Sequence, residues 1–153
     1  MKKVLNILVF LFLSGCGFKI VNQKGLGNYD ISEINLSGDK KINYEIRNKV
    51  LFNSTKNAKA LINVNIYTQR IKTVKEKNIK NEITKYQILI KSEVDIEDFK
   101  ENNFKFSMSK TGDFVVSSKY SQTLNNEKKL VQILTDAISK EIIEKIIIKI
   151  NDL

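Results

Sequence analysis

The sequence lacks histidine, proline and tryptophan, and Cys16 is its single cysteine. Without histidine, the Ser-His-Asp and Cys-His arrangements of nucleophilic catalysis are excluded. Metal sites built from cysteine and histidine are excluded for the same reason. One cysteine cannot form a disulfide within its own chain. Charge, hydrophobic patterning and the cysteine itself are therefore the informative features.

The chain is basic, with 26 lysines and arginines against 17 acidic residues and a formal net charge of +9. Such a charge suits nucleic acid, anionic lipid or an acidic glycolipid as a partner. However, lysine, asparagine and isoleucine are frequent throughout, a bias that an A+T-rich genome produces through codon usage alone. The basic residues are also spread along the chain rather than gathered in one block. Composition alone gives the two explanations equal weight.

The N-terminus has the pattern of an export signal. Two lysines precede residues 4–13, which are apolar except for Asn6. This run is shorter than the roughly 20 residues of a membrane span, but it has the length of a signal-peptide core. The following Leu13-Ser14-Gly15-Cys16 looks like the lipobox of bacterial lipoproteins, in which the cysteine thiol takes a diacylglycerol. We therefore expect a signal peptide over residues 1–15 and lipidation of Cys16; a buried N-terminal helix with a chance cysteine is the alternative.

The residues after Cys16 divide into a short polar stretch and one domain. Residues 16–28 are polar and contain glycine, so we expect a tether between the lipid and the domain. Residues 29–153 are long enough for a single domain with its own core. In lipoproteins of the enterobacterial type, an aspartate directly after the cysteine signals retention in the inner membrane. Gly17 at that place favours the periplasmic side of the outer membrane, and export argues against a nucleic-acid partner.

The first half of the domain predicts a strand followed by a helix. Residues 31–36 form a short apolar run that reads as a strand. Ile42, Ile46 and Val50 recur at intervals of four, which places them on one face of a helix over residues 40–52. Asp39 is the expected N-cap of this helix, and Asn53 marks its end.

Two longer strands are predicted over residues 60–74 and 83–96, because apolar and polar residues alternate in both. One apolar face and one wet face are typical of an antiparallel sheet that is covered on a single side. Glu93, Asp95 and Glu97 share the wet face of the second of these strands. We interpret them as solvated side chains rather than as paired catalytic carboxylates.

The last third of the chain predicts a fourth strand and a long helix. Alternation from Phe104 to Tyr120 is interrupted at Gly112, which indicates one strand with a bend or bulge there, or else a hairpin. The helix is expected to open at residues 125–127, with Asn125 or Asn126 as its cap. Its apolar positions form a slanted i+4 stripe, and Ile148 lies outside it. The stripe consists of Val131, Leu134, Ile138, Ile142, Ile146 and Ile150.

This order of elements predicts an α+β fold: a two-layer sandwich in which two helices pack on one face of a mostly antiparallel, four-stranded sheet. The core between the layers should bury apolar residues from three of the strands and from the last helix. We expect it to contain Ile62, Val64, Ile88, Ile90, Phe106, Leu134 and Ile138.

The chain resembles the LPS-assembly lipoprotein family (LptE). The matching stretches are Cys16-Gly17-Phe18-Lys19, Thr84-Lys85-Tyr86-Gln87-Ile88-Leu89-Ile90, residues 114–121 with their Tyr120-Ser121 end, and the terminal amphipathic helix. The resemblance implies a plug inside the β-barrel of the outer-membrane LPS translocon protein (LptD), which helps that barrel assemble and helps lipopolysaccharide reach the outer leaflet. It also implies no covalent chemistry and no cofactor. Another periplasmic lipoprotein, such as an accessory subunit of a lipid-transport ABC system, or a structural envelope lipoprotein is the alternative.

A cluster of cations lies where the second and third strands meet. Only Glu76 and Glu82 are interspersed among these cations, and a hairpin would bring its two arms together at one end of the sheet. Lipid A phosphates could relieve the repulsion between them, whereas the alternative is a merely solvated hairpin tip. The candidate lipopolysaccharide-binding residues are Arg70, Lys72, Lys75, Lys77, Lys80 and Lys85.

Overall fold

The structure is a computed structural model, and it describes residues 28–98 and 102–151. Cys16 and the predicted signal peptide lie outside these residues. The described chain forms a four-stranded sheet in the order β1-β2-β3-β4, in which β1 is parallel to β2 and the other neighbours are antiparallel. Two helices pack on one face of the sheet, so the predicted α+β sandwich is confirmed. The elements are β1 (Tyr29–Gly38), α1 (Lys40–Phe52), β2 (Ala60–Lys77), β3 (Ile83–Asp98), β4 (Asn103–Val115) and α2 (Tyr120–Asn151).

Local capping signals fix both ends of α1, as predicted. The carboxylate Oδ1 of Asp39 accepts hydrogen bonds from the backbone N–H groups of Lys41 and Ile42, each at 3.1 Å. Such a cap satisfies donors that the first helical turn leaves unpaired. At the other end, the Asn53 amide donates to the backbone oxygen of Lys49 at 2.8 Å. The β1–α1–β2 crossover is what allows β1 and β2 to run parallel.

Gly38 joins β1 to α1 in a conformation that only glycine adopts freely. Its φ angle is +94°, and a Cβ built on it would lie 1.9 Å from the backbone oxygen of Thr68. That oxygen also accepts a hydrogen bond from the Asp39 N–H at 3.0 Å. The close approach of the two strands therefore requires a residue without a side chain.

β4 is a single strand, as predicted, but it ends at Val115 rather than Tyr120, and both the bulge at Gly112 and the alternative hairpin are wrong. Its pairing with β3 keeps one register from Asn103 opposite Glu97 to Val115 opposite Lys85. Gly112 is explained by packing instead, because a Cβ at this position would lie 2.7 Å from Cδ1 of Leu130 on α2. The glycine allows the helix to approach the sheet closely.

α2 begins at Tyr120, earlier than the predicted opening at residues 125–127, and β4 ends at Val115. The segment between them is turned by a local hydrogen bond from the Ser117 N–H to Oγ1 of Thr123 at 2.8 Å. Neither Asn125 nor Asn126 is a cap, because both already lie inside the helix. The side-chain amide of Asn126 donates to the backbone oxygen of Val115 at 3.1 Å and ties the helix to the end of the strand.

The core lies between the helices and the covered face of the sheet. Of the predicted core residues, Phe106 on the edge strand is only partly buried, and the others are buried. The i+4 stripe of α2 is confirmed, with Ile150 partly buried at its end. Ile148 is 57% exposed, and nothing in the isolated domain explains its apolar character.

Candidate anion-binding site at the β2–β3 hairpin

The hairpin of β2 and β3 projects well beyond β1 and, at its turn, beyond the end of β4. β1 pairs with β2 only as far as Gly38 opposite Thr68, so the distal half of β2 has β3 as its only strand neighbour. Its turn is fixed by Asn78, whose Oδ1 accepts from the N–H groups of Lys80 and Glu82 at 2.9 and 3.0 Å. The six predicted cations lie along this projection, but they do not form a single cluster.

Arg70 and Lys72 lie on the covered face of the sheet, opposite the buried residues Ile90 and Ile88. Nε of Arg70 lies 3.3 Å from Oδ2 of Asp39. Nζ of Lys72 lies 2.6 Å from Oε2 of Glu127 on α2. Both cations therefore already have a carboxylate partner from another element.

Aromatic rings provide a second partner for Lys72. Its Nζ lies 4.4 Å from the ring centroid of Tyr86 and 5.1 Å from that of Phe114. The two rings stack with their centroids 5.6 Å apart. A cation held over ring faces in this way gains electrostatic attraction from both rings. An incoming anion would have to compete with Glu127 and with this aromatic pair.

Lys85 lies on the opposite, open face of the sheet. Its Nζ is 2.9 Å from Oε2 of Glu76. The hydrogen bond that Lys85 donates to Glu76, together with the negative charge of Glu76, raises the pKa of Lys85 above its ordinary value. Lys85 is thus separated from Arg70 and Lys72 by the sheet and is neutralised locally.

The remaining cations, Lys75, Lys77 and Lys80, form the hairpin tip together with Ile79. All four residues are exposed, and the side chain of Ile79 is fully so. Lys77 donates to Oδ1 of Asn81 at 2.9 Å, a neutral partner. Among the described residues, neither Lys75 nor Lys80 has an ion-pair partner. The hairpin tip therefore presents three cations without an ion-pair partner among the described residues, together with one exposed apolar side chain.

Sequence reasoning missed Ile79. Its neighbours in the turn are polar, and no apolar residue stands two positions away, as the alternation of a strand would require. The feature that could have identified Ile79 is its position as an isolated apolar residue inside a lysine-rich turn.

The open face of the sheet is polar, as the alternation predicted, and Glu93 and Glu97 are exposed on it. One row crosses the four strands through Asn35, Asn65, Asp95 and Lys105. In this row the two asparagines are joined by a hydrogen bond of 3.1 Å, and Nζ of Lys105 lies 2.9 Å from Oδ2 of Asp95. A groove of about 660 Å³ follows the row. No group of carboxylates in the described ranges could hold a metal ion.

No protein-family model matches the sequence, and no curated protein matches it by sequence. Solved structures match its fold. Lipoprotein B from Nitrosomonas europaea, described as uncharacterized, has a TM-score of 0.57 at 9% identity and covers 86% of this chain and 91% of its own. The rare lipoprotein B from Shewanella oneidensis has a TM-score of 0.51 at 8% identity, over 78% of this chain and 94% of its own.

A minor lipoprotein from Acinetobacter baumannii also matches, with a TM-score of 0.52 at 12% identity, over 76% of this chain and 91% of its own. The fold is therefore one that occurs in bacterial lipoproteins. The likeness to the LPS-assembly lipoproteins predicted from the sequence is confirmed at the level of the fold. Within the described part of the chain, no helix combines the length and the apolar character of a membrane span.

Proposed function

We propose that this protein is a lipid-anchored subunit of the outer-membrane LPS translocon. In this role the domain sits as a plug in the LptD barrel, assists its assembly and helps lipopolysaccharide enter the outer leaflet. The observation that carries the proposal is a fold found in bacterial lipoproteins on a chain with a lipobox at residues 13–16. The lipid on Cys16 would hold the domain on the periplasmic side of the membrane.

The open face of the sheet supports enclosure by a barrel. Asparagine, lysine and carboxylate side chains lie on it, and some of them already contact each other through a hydrogen bond and an ion pair. The interior of an outer-membrane barrel is likewise polar and hydrated. A polar sheet face can therefore lie against such an interior without being transferred into an apolar environment.

The hairpin tip supports a contact with lipopolysaccharide. The ammonium groups of Lys75, Lys77 and Lys80 act as point charges toward phosphates, and the exposed side chain of Ile79 can bury methylene groups among acyl chains. Each buried CH₂ contributes about 0.8 kcal/mol. Lipid A offers both chemistries within one molecule. In this proposal Arg70, Lys72 and Lys85 have a secondary role, because an anion must displace their carboxylate partners.

The protein would act by binding alone, with no reaction, no cofactor and no nucleic acid. Its partners would be the barrel, lipopolysaccharide and the membrane that holds its lipid.

Affinity purification of the lipidated protein from its own envelope tests this proposal. We expect a large β-barrel protein and lipopolysaccharide to be recovered with it. A matched sample with Cys16→Ser controls for anchoring, because the same fold would lack its lipid. Recovery of an inner-membrane transporter, or of no barrel at all, would contradict the translocon assignment.

A further inference from the structure

We infer that the outer edge of β4 is a self-association surface, through which two copies of this chain pair antiparallel about a two-fold axis at Ser109. The two four-stranded sheets would then join into one continuous sheet. This interface leaves the hairpin tip free, and it does not depend on the translocon role proposed above.

β4 is a long and regular edge strand. It has thirteen residues, and its register with β3 contains no bulge. The other sheet edges are interrupted, since β1 shifts register between Ile31 and Glu33 and β2 shifts twice near Glu76. Proteins usually blunt exposed edges with bulges, prolines or inward charges. Among the described edges, β4 is the one that such irregularities leave unprotected.

The unpaired backbone groups of β4 follow from its pairing with β3. The Val116 N–H donates to the Thr84 oxygen at 2.9 Å, so even-numbered residues of this segment bond to β3. In an antiparallel ladder the alternate residues then direct N–H and C=O outward. Val115 shows this outward direction, because its backbone oxygen accepts a hydrogen bond from the side chain of Asn126. Ser109, at the middle of the strand, shares this outward direction.

The register that pairs all thirteen residues places Ser109 opposite Ser109 of the second copy. In that register Lys105 faces Asp113 of the second copy, and by symmetry the same contact forms twice. Moving the axis by one residue would put Lys105 opposite Thr111 or Val115 and lose both charge pairs. Opposite charges directly across strands are favourable. Charge complementarity therefore selects the register with the greatest overlap.

The covered face agrees with the same register. Phe106 would lie beside Gly112 of the second copy, a pairing in which an aromatic ring covers the backbone of an edge glycine. Phe106 is only partly buried in the isolated domain. A lysine on an edge strand can prevent pairing with a second strand. Lys110 lies on this face, but its charge is neutralised because its Nζ lies 2.6 Å from Oε2 of Glu141.

The interface also accounts for the exposed Ile148. Helical spacing places Ile148 on the same line of α2 as Leu130 and Glu141, both of which contact β4. A two-fold axis through the paired edges puts both helix layers on one side of the joined sheet, with the two α2 helices antiparallel. Ile148 then faces the second helix layer rather than water.

Both charged partners retain capacity for a new contact. Lys105 contacts Asp95, but its side chain remains 72% exposed. Asp113 accepts one hydrogen bond, from Gln87 at 3.0 Å, and a carboxylate has further acceptor sites. Lys105 and Asp113 can therefore pair across the interface without breaking their existing contacts.

The first test is the mass of the full chain carrying Cys16→Ser, measured by sedimentation over a concentration series. We expect a monomer–dimer equilibrium, and Ser109→Pro should abolish the dimer. Proline is tolerated at this edge position because the lost N–H points away from β3, and circular dichroism checks that the fold is kept. A monomer at every concentration, or a dimer that Ser109→Pro leaves unchanged, would overturn the inference.

The second test fixes the register. Lys105→Asp and Asp113→Lys should each weaken the dimer about tenfold, and the double exchange should restore it. Ser109→Cys should form a disulfide-linked dimer on mild oxidation, since residues opposite in a hydrogen-bonded pair lie about 5.5 Å apart. Ser107→Cys is the matched control and should not cross-link to itself. Equal cross-linking by both variants, or cross-linking of Ser109→Cys to a different protein in the envelope, would refute this interface.

Discussion

The two carboxylate oxygens of Asp39 serve different elements: Oδ1 caps α1, and Oδ2 lies 3.3 Å from Nε of Arg70 on β2. One side chain therefore joins the start of the helix to the base of the projecting hairpin. It also neutralises a cation that the sequence suggested for anion binding.

Substitutions at Asp39 separate these two roles. Asp39→Asn keeps an oxygen that can cap the helix and loses only the ion pair, so the free energy of unfolding should fall by less than about 1 kcal/mol. Asp39→Ala loses both contacts and should cost about 1–2 kcal/mol. Urea unfolding measures both values. Equal losses for the two variants would show that the cap contributes nothing.

Gly38→Ala should be among the most damaging small substitutions in the domain. The backbone has a φ of +94°, and the added Cβ would meet the Thr68 oxygen at 1.9 Å. We expect a loss of about 3 kcal/mol or more in the free energy of unfolding. Gly112→Ala is the matched control, because its Cβ would meet the movable end of the Leu130 side chain and should cost about 1 kcal/mol. The reverse order of the two losses would contradict this account.

Local signals and long-range contacts differed in how well the sequence predicted them. Asp39 and Asn53 mark the ends of α1 through neighbours in sequence, and the alternation in β2 and β3 follows from burial on one face. The role of Gly112 does not follow from the local sequence, because the side chain that requires a glycine there, Leu130, lies on another element. The early start of α2 depends on the contact between Ser117 and Thr123, which hydrophobic periodicity does not report.

The candidate site shows the same limit. The basic cluster in the sequence predicts Arg70 and Lys72 as available cations, but Asp39 and Glu127 neutralise them from distant positions in the sequence. Lys75 near the end of β2 and Lys80 in the turn stay exposed because the hairpin projects beyond β1. Charge along a sequence can therefore locate a basic region, whereas pairing across elements decides which cations remain available.

Tyr29 should make the domain sensitive to alkaline pH. Its side chain is buried, and its hydroxyl has no hydrogen-bond partner among the described residues. Burial raises the pKa of Tyr29 from 10.0 to about 12. Between these values the unfolded chain releases a proton that the folded chain retains, so stability is present below pH 10 and is lost as pH rises toward 12.

The variant Tyr29→Phe tests this dependence. The difference of about two pKa units corresponds to roughly 3 kcal/mol at most. At about pH 8 the variant should unfold with nearly the wild-type free energy, because the lost hydroxyl leaves no partner unpaired. At about pH 11.5 the variant should be the more stable protein. If the free energies of unfolding of the two proteins, measured in urea, change with pH in parallel, Tyr29 is not the cause of the alkaline sensitivity.

Cys16 should carry the membrane anchor. One acyl chain holds a protein only weakly, whereas several chains on one cysteine hold it firmly. Cys16→Ser should therefore give an uncleaved or soluble precursor in fractionated cells. Mass spectrometry of the native mature protein provides the direct measurement, and an unmodified Cys16 would show that the lipobox prediction is wrong.

Lipopolysaccharide binding should depend on the hairpin tip. Changing Lys75, Lys77 and Lys80 together to Glu removes the three cations of the hairpin tip and replaces them with negative charge. Each lysine near an anionic surface contributes about 1 kcal/mol, so affinity in a low-salt titration should fall on the order of a hundredfold. The salt dependence of binding should also flatten, because the screened charge interaction is lost.

A matched variant distinguishes the effect of the hairpin tip on binding from the effect of net charge. Arg47, Lys56 and Lys59 are exposed and lie outside the hairpin, and changing them to Glu alters the charge by the same amount. This control should bind lipopolysaccharide within a few-fold of wild type. Ile79→Ser should weaken binding while leaving its salt dependence unchanged, because it removes apolar contact without changing charge. If the lysine variant keeps wild-type affinity at low salt with its fold intact by circular dichroism, the hairpin tip is not the contact. The plug role would then rest on the likeness of sequence and fold alone.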